Sequence, residues 1–381
     1  MDAILQRVAL VLEYPVVFAH DVFASESTVV VDVLSAREPA RCHRVVAIVD
    51  AGVAAAWPGL LGAIEAYAKR HADRIELAAP PWTIPGGEAA KDVAVLDDVV
   101  RRLAELRVDR HSFVLAVGGG AVLDVIGYAA ATVHRGLRLV RVPTTVLAQN
   151  DAGVGVKNGI NAFGAKNFLG VFAAPFAVID DSRFLTTLDR RDQAAGMAEA
   201  VKVAVIRDPV FFEWIVDHAP ALAAFDLPPV ERMIRRCAEL HLAHISGGGD
   251  PFESGNARPL DFGHWAAHKL EILTNHELRH GEAVSIGMVL DGRYSVEAGL
   301  LDERAFATFV GVLERLRLPV WHDALLDPDE LLHGLDEFRQ HLGGELTITL
   351  LAGIGNGVEC RDVRTELVRN ALDWMRGRRP S

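Results

Sequence analysis

The feature that most restricts how this chain can fold is an alternation, through its first half, of short apolar runs with helix-period segments. The runs are RVVAIVDAG at 44–52, RIELAAP at 74–80, FVLAVGGG at 113–120, LRLVRVPTT at 137–145 and FAVIDD at 176–181. Near-continuous Val, Ile and Leu without polar alternation suits strands buried on both faces. Between them, segments such as VAVLDDVVRRLAELRV at 93–108 carry apolar residues at helical spacing. Strand and helix in turn predict a parallel sheet covered by helices, hence an α/β N-terminal domain. After about residue 185 the strand signal gives way to Ala, Leu, Arg and Glu at a 3.6-residue period, which predicts an all-α C-terminal domain. A late run, GGELTITLLAGIG at 343–355, alternates as a strand does and predicts a short sheet element. The expected division is 1–185 for the α/β domain and 186–381 for the mainly helical one, and a length of 381 residues suits two domains.

Charge narrows the class of partner. The chain has 39 basic and 51 acidic residues, a formal net charge of −12. No excess of Lys and Arg exists to displace counterions from a phosphate backbone, so nucleic acid is excluded as the expected partner, while a few local cations could still hold an anionic small molecule. Cys42, Cys237 and Cys360 are odd in number and form no CxxC pattern. That fits a reducing compartment, with all three as packing residues. MDAILQRVALVLEYPVVF lacks the basic start and cleavage site of a signal peptide, and no apolar run approaches the ~20 residues that span a bilayer. The expectation is a soluble, cytoplasmic protein without a membrane partner.

Three stretches carry groups suited to chemistry. Gly118, Gly119 and Gly120 follow a buried-type strand and open a helix, where exposed backbone N–H groups and the positive helix end suit a pyrophosphate; a tight turn without a ligand is the alternative. Asp50 ends an earlier strand, a place where carboxylates accept from ribose hydroxyls, although as a single residue it also reads as a cap. Glu88 and Lys91 stand three residues apart at a helix start. VPTTVLAQNDAGVGVKNGINAFGAKNFLG then sets Asp151, Lys157, Asn161, Lys166 and Asn167 among glycines and small apolar residues. Ammonium groups supply charge and amides supply direction, a combination that grips phosphate and sugar hydroxyls. Further on, Glu199 and Lys202 lie one turn apart in the apolar helix pattern AGMAEAVKVAVI. A charged pair there must be met by a metal or by itself as an ion pair, and spacing does not choose.

DFGHWAAHKLEILTNHELRHGE, 261–282, is dense in histidine. His264 and His268 share a helical face at i,i+4 spacing, and with Glu271 they make the first metal hypothesis that geometry suggests. By the same reading His280, beside Gly281 at a helix start, is a cap or surface residue.

Together, GGGAVLDVIGYAAATVHRG, VPTTVLAQNDAGVGVKNGIN, GAKNFLG, AGMAEAVK, DFGHWAAH and HGEAVSIGM resemble, in order and approximate spacing, 3-dehydroquinate synthase and its relatives, the sugar-phosphate cyclases. The resemblance runs from about Asp50 to the late strand region. It implies an NAD-binding α/β domain, a helical metal-binding domain and a homodimer. It further implies that Glu199, His264 and His280 hold a divalent metal, Zn2+ or Co2+, and that His268 is a phosphate contact and proton carrier. Lys157, Asn167, Lys202 and Arg135 fall on substrate positions, with Lys166 in the same stretch, and Asp151 on the carboxylate of the substrate pocket. Asp50, Glu88, Lys91, Gly118, Gly119, Gly120, Asp124, Thr144 and Thr145 fall on nucleotide positions. The implied reaction is redox-neutral. NAD+ oxidises a ring hydroxyl, phosphate is eliminated, the hydride returns and the opened chain closes by an aldol step.

The sequence also departs from the family pattern. Where 3-dehydroquinate synthases carry an arginine before FGH, this chain has Ala257, with Arg258 shifted by one, and Asp261 stands for the usual asparagine. Ala243 aligns with a further substrate lysine, and Arg339 and His341 surround another. Fewer cations and an added carboxylate disfavour an acidic substrate, and the changes resemble cyclases of neutral-headed sugar phosphates such as sedoheptulose 7-phosphate, although His268 is retained. The alternatives are 3-dehydroquinate synthase proper, an NAD-dependent polyol or glycerol dehydrogenase of the same architecture, and a scaffold without activity.

Overall fold

The computed structural model describes residues 3–247, 260–341 and 346–379. Two compact units emerge, Met1–Pro143 with Val156–Asp181, and Thr144–Gly155 with Ser182–Ser381.

The first unit holds strands β1 (Val16–Ala19), β2 (His43–Asp50), β3 (Ile75–Leu77), β4 (Trp82–Ile84), β5 (Phe113–Gly118), β6 (Arg138–Pro143), β7 (Lys157–Ala162), β8 (Ala165–Phe172) and β9 (Ala177–Asp181). Its sheet runs in the order β1-β9-β6-β5-β2-β3, with parallel neighbours. β4 pairs in parallel with the C-terminal end of β2, while β3 pairs with its N-terminal end. β5 is buried along its whole length, which is why its sequence is apolar at every position and not at alternate ones. Helices α1 (Val29–Ser35), α2 (Ala51–Ala56), α3 (Leu60–Arg70), α4 (Val93–Glu105) and α5 (Gly120–Thr132) join the strands, giving the α/β organisation that the alternation predicts. Burying a side chain such as Leu103 or Ile126 contributes roughly 1.5–3 kcal/mol.

β7 and β8 form a separate antiparallel hairpin. It is fastened by polar groups. On β6 the fully buried Arg141 donates through Nη2 to Asn158 Oδ1 at 2.5 Å and to the Lys157 carbonyl at 3.3 Å. A Cβ on Gly127 of α5 would lie 1.8 Å from that same Oδ1, so only glycine lets the helix approach.

The second unit holds α6 (Arg190–Ala195), α7 (Met197–Arg207), α8 (Pro209–Ala224), α9 (Leu227–Gly247), α10 (His264–Leu273), α11 (His280–Glu297), α12 (Glu303–Arg315), α13 (Pro328–His341), α14 (Thr365–Arg376) and an antiparallel pair, β10 (Ile348–Leu351) with β11 (Gly357–Cys360). The late alternating run thus supplies β10, and its residues 343–345 lie outside the described ones. α11 is the central helix, buried from Gly281 to Gly292 and packed against α7, α10 and α14. No helix among the described residues is long and apolar enough to cross a membrane. Of the cysteines only Cys237 is buried; Cys42 is exposed.

Candidate active site

Each unit carries a polar centre. In the first, α5 begins where β5 ends, and Gly118 is required by close approach, since its Cβ would meet Val122 Cγ1 at 2.6 Å. Gly119 is the N-cap of α5 and Gly120 its first residue. Asp50 ends β2 and caps α2, its Oδ1 accepting from the Gly52 N–H at 2.7 Å. Beside these lies one continuous chain of hydrogen bonds. The Asn161 amide donates to Glu88 Oε1 at 2.6 Å, Asn161 Oδ1 accepts from the Asn167 N–H at 2.8 Å, Asn167 Oδ1 accepts from Lys91 Nζ, and Lys91 Nζ reaches Asp124 Oδ2 at 2.5 Å. Lys91 is buried, and burial pushes the Asp124 carboxyl up while the Lys91 ammonium opposes it. Five residues from four separate segments are therefore one network. Lys157 and Lys166 lie on the hairpin with exposed side chains, and Arg135 is exposed in a turn at φ +63°.

The second unit gathers the metal candidates. Glu199 of α7 and the first residues of two further helices, His264 of α10 and His280 of α11, bring one donor atom each to within 4.8 Å of one another. Both imidazoles have an acceptor near Nδ1. His264 Nδ1 lies 3.2 Å from the Phe262 carbonyl, and its Nε2 is directed toward Glu199, 3.5 Å from Oε1. His280 Nδ1 lies 3.4 Å from Glu271 Oε1, at ion-pair distance but without a hydrogen bond. A ring held by an acceptor on one nitrogen and open on the other is how histidine is prepared as a ligand. Such a donor set, one carboxylate and two imidazoles, fits a catalytic divalent ion with positions left open.

Lys202 sits one turn from Glu199, with Nζ 2.9 Å from Oε1 and 2.5 Å from Oε2, and the two side chains are 3 % and 2 % exposed. Burial alone would push the Glu199 carboxyl up; the Lys202 ammonium and the His264 hydrogen bond overcome it and hold the group below its usual range. Lys202 stays protonated for the reciprocal reason, burial being outweighed by Glu199, Asp151 and Asp261. The ion-pair reading of this pair is observed, and Glu199 also belongs to the group of three donors that could hold a metal.

His268 is exposed, its ring 5.8 Å from that of His264 and 6.3 Å from that of His280, and it is not one of the three clustered donors. Glu271, grouped with His264 and His268 by spacing, instead faces His280. Asp151 Oδ1 lies 2.9 Å from His241 Nε2, so α9 turns His241 toward this carboxylate, whereas Ala243 is exposed. In the same segment Thr144 is buried and the Thr145 hydroxyl accepts from the Ala148 N–H at 3.1 Å. Arg258 and Ala257 lie outside the described residues, and Arg339 pairs with Asp336 at 3.0 Å.

The supporting contacts around His280 were not foreseen from sequence. Arg191 grips both oxygens of Glu282 at 2.6 Å and also the Glu277 carbonyl, while Glu282 Oε2 accepts from the Arg279 N–H at 2.8 Å. Together they fix the first turn of α11. A Cβ on Gly281 would lie 1.8 Å from the Ala195 carbonyl oxygen, so α6 touches that turn directly.

Comparison with known proteins follows the same lines. Models of the 3-dehydroquinate synthase N-terminal and C-terminal regions match residues 81–195 and 196–338. The chain belongs to the 3-dehydroquinate synthase family. The 3-dehydroquinate synthase of Rhodopirellula baltica is 36% identical over 333 residues, covering 87% of this chain and 86% of that protein. That of Xylella fastidiosa is 36% identical over 297 residues, 76% of this chain and 80% of that one. Among solved structures, ValA, a 2-epi-5-epi-valiolone synthase from Streptomyces hygroscopicus subsp. jinggangensis 5008 with NAD+ and Zn2+ bound, superposes with a TM-score of 0.87 at 29% identity, covering 98% of this chain and 100% of that one. A 2-deoxy-scyllo-inosose synthase complexed with carbaglucose-6-phosphate, NAD+ and Co2+ shares the fold at a TM-score of 0.78 and 24% identity, over 94% of this chain and 95% of that one. This family member is therefore an enzyme of the 3-dehydroquinate synthase-like cyclases.

Proposed function

We propose that this enzyme cyclises a phosphorylated sugar without a carboxylate head, using NAD+ and a divalent ion such as Zn2+ or Co2+, with elimination of phosphate, intramolecular aldol closure and no net redox change. The reading is carried by the convergence of Glu199, His264 and His280 beside the buried Lys202 ammonium. When bound, the ion supplies Lewis acidity to a substrate oxygen and NAD+ supplies a reversible hydride acceptor. The chain's own groups do the rest. Lys202 Nζ has three N–H donors and remains charged, so beyond Glu199 it can stabilise negative charge developing on a substrate oxygen. The Phe262 carbonyl keeps the His264 ring from rotating, and Glu271 sets negative charge beside His280. The exposed His268 is suited to hold or donate a proton at the phosphate.

The absence of a substrate carboxylate is inferred from charge. Asp151 bears on both Glu199 and Lys202, and Asp261 bears on Lys202. Carboxylates placed there accept from hydroxyls and repel an acid. Relatives bearing the name 3-dehydroquinate synthase at 36% identity favour the second reading, an acid-headed sugar phosphate as substrate. One experiment separates them. Purified protein with NAD+ and Zn2+ or Co2+ is offered neutral and carboxylate-bearing sugar phosphates and scored for inorganic phosphate. Release from neutral heptulose phosphates without accumulating NADH is expected; release only from the acid supports the second reading, and NADH accumulation from polyols without phosphate release would sink both.

A further inference from the structure

Asp291 is a buried carboxylate that the cyclase reaction leaves unexplained. It lies on α11 among Val289, Leu290 and Gly292 and is 1 % exposed. Each oxygen takes one neutral donor: Oδ2 accepts from the Gly263 N–H at 2.8 Å, and Oδ1 from the Trp265 indole N–H at 2.8 Å. Among the described residues no cation pairs with it, and burial pushes its carboxyl up to about 7 against the opposing pull of those two bonds. An acid in the interior without a cation costs the fold. Its retention calls for a use.

The two donors stand on either side of His264. Gly263, the N-cap of α10, is held at φ +78°, and its Cβ would lie 2.5 Å from the Met288 backbone nitrogen. A Cβ on Gly287 would in turn lie 2.0 Å from the Gly263 carbonyl oxygen. The backbone that opens α10 therefore rests directly on the middle of α11. The N–H groups at a helix start have no acceptor within their own helix and must find one elsewhere. Asp291 supplies it for Gly263 and at the same time fixes the Trp265 ring, so the first turn of α10 is held on both sides of its ligand.

We propose that Asp291 is a positioning residue for the metal centre: by holding Gly263 and Trp265 it sets the rotation of the first turn of α10 and so the direction of the His264 imidazole. The inference rests on the reading of Glu199, His264 and His280 as metal ligands. It assigns to α11 a double role, since the helix bears His280 at its start and orients the other histidine from its middle.

The test uses the full-length chain with Asp291→Asn, which keeps size and shape but turns an N–H against one of the two donors. Zn2+ affinity is measured by competition with a chromogenic chelator, and the visible ligand-field bands are recorded for the Co2+-loaded protein. Affinity is expected to fall about 10-fold, at the low end for a group that supports a ligand at one remove, with a shift of the Co2+ bands that a merely loosened core would not produce. Should Asp291→Asn fail to fold, Trp265→Phe removes one donor while keeping an aromatic side chain there, and a loss of a few-fold with a band shift in the same direction is expected. Unchanged affinity and bands in a folded variant would overturn the proposal while leaving the metal reading intact. A wild-type chain that binds neither Zn2+ nor Co2+ would remove the metal reading and the proposal with it.

Discussion

Lys202→Met is the perturbation that most directly asks what Glu199 is for. The ammonium lies 2.9 and 2.5 Å from the two Glu199 oxygens, with both side chains almost wholly buried. Methionine keeps most of the stem volume, so little cavity is created and the effect isolates the charge. Removing one partner of a buried pair costs about 3–5 kcal/mol, because the other is left as an uncompensated charge. That cost should not be constant. In the stripped protein the cation-forming partner left to Glu199 among the described residues is His264 at 3.5 Å. On the proposed ligand set, a divalent ion in the loaded protein would face the same carboxylate and replace the lost cation. If the ion offsets about half the loss, near 2 kcal/mol, the thermodynamic cycle requires the variant to bind the ion roughly 30-fold more tightly than wild type.

The assay is urea unfolding of both proteins, chelator-stripped and Zn2+-saturated, together with direct Zn2+ titration. Turnover should be lost although the metal is held more firmly, a combination that separates Lys202's chemical role from its structural one. Equal destabilisation in stripped and saturated forms would refute the reasoning, since it would mean that the lysine and the ion do not share Glu199. Negligible destabilisation in both would mean that the pair is solvated and not buried.

Two further predictions concern the same unit. His280→Ala should abolish stoichiometric zinc, whereas His268→Ala should retain it and slow phosphate release roughly 100-fold, as expected for a lost proton carrier; metal loss from both variants would return the ligand pair to His264 and His268. Asp291 should tie stability to pH: with its carboxyl raised from 3.8 to about 7, the folded chain keeps a proton that the unfolded chain releases. Stability from this group is therefore fully present below about pH 4 and lost as pH rises toward about 7, a change on the order of 4 kcal/mol. Relative to Asp291→Asn, wild type should be more stable at pH 5 than at pH 8 by urea titration, and parallel profiles would contradict the burial of this acid.

How much of this was legible in the sequence depends on how each residue is constrained. β3, β5, β6 and β9, and β2 apart from its first residue, fall within the five apolar runs, because strands covered on both faces need apolar residues throughout. β1 and β4, of 4 and 3 residues, are not among those runs. The β7–β8 hairpin was hidden by its polar residues. Lys157, Asn161, Lys166 and Asn167 drew the reading toward ligand binding and away from paired strands; in the structure Asn158 holds Arg141 and Asn161 bridges Glu88 to Asn167. For the metal set, helical spacing favoured His264 with His268 because it compares residues within one helix. The clustered histidines instead open two different helices and meet only in space.

The buried charges show where such reading has its limit. Glu199 and Lys202 stand in a mostly apolar helix and are recognisable in sequence as residues that must have a partner, whereas Asp291 stands in a helix of mixed polarity that does not single it out. The kind of partner is another matter. Glu199 and Lys202 meet each other one turn apart, so local spacing can propose that pair. Asp291 is satisfied by a backbone N–H and an indole from a different helix, 28 and 26 residues away, and no periodicity connects them. Local pattern therefore marks some of the positions that are expensive to bury, and the packing of one helix on another decides what that expense accomplishes. For Asp291 this difference can be measured: burial alone predicts that replacing the acid with a neutral amide relieves the fold, whereas the packing predicts that it also weakens metal binding at His264.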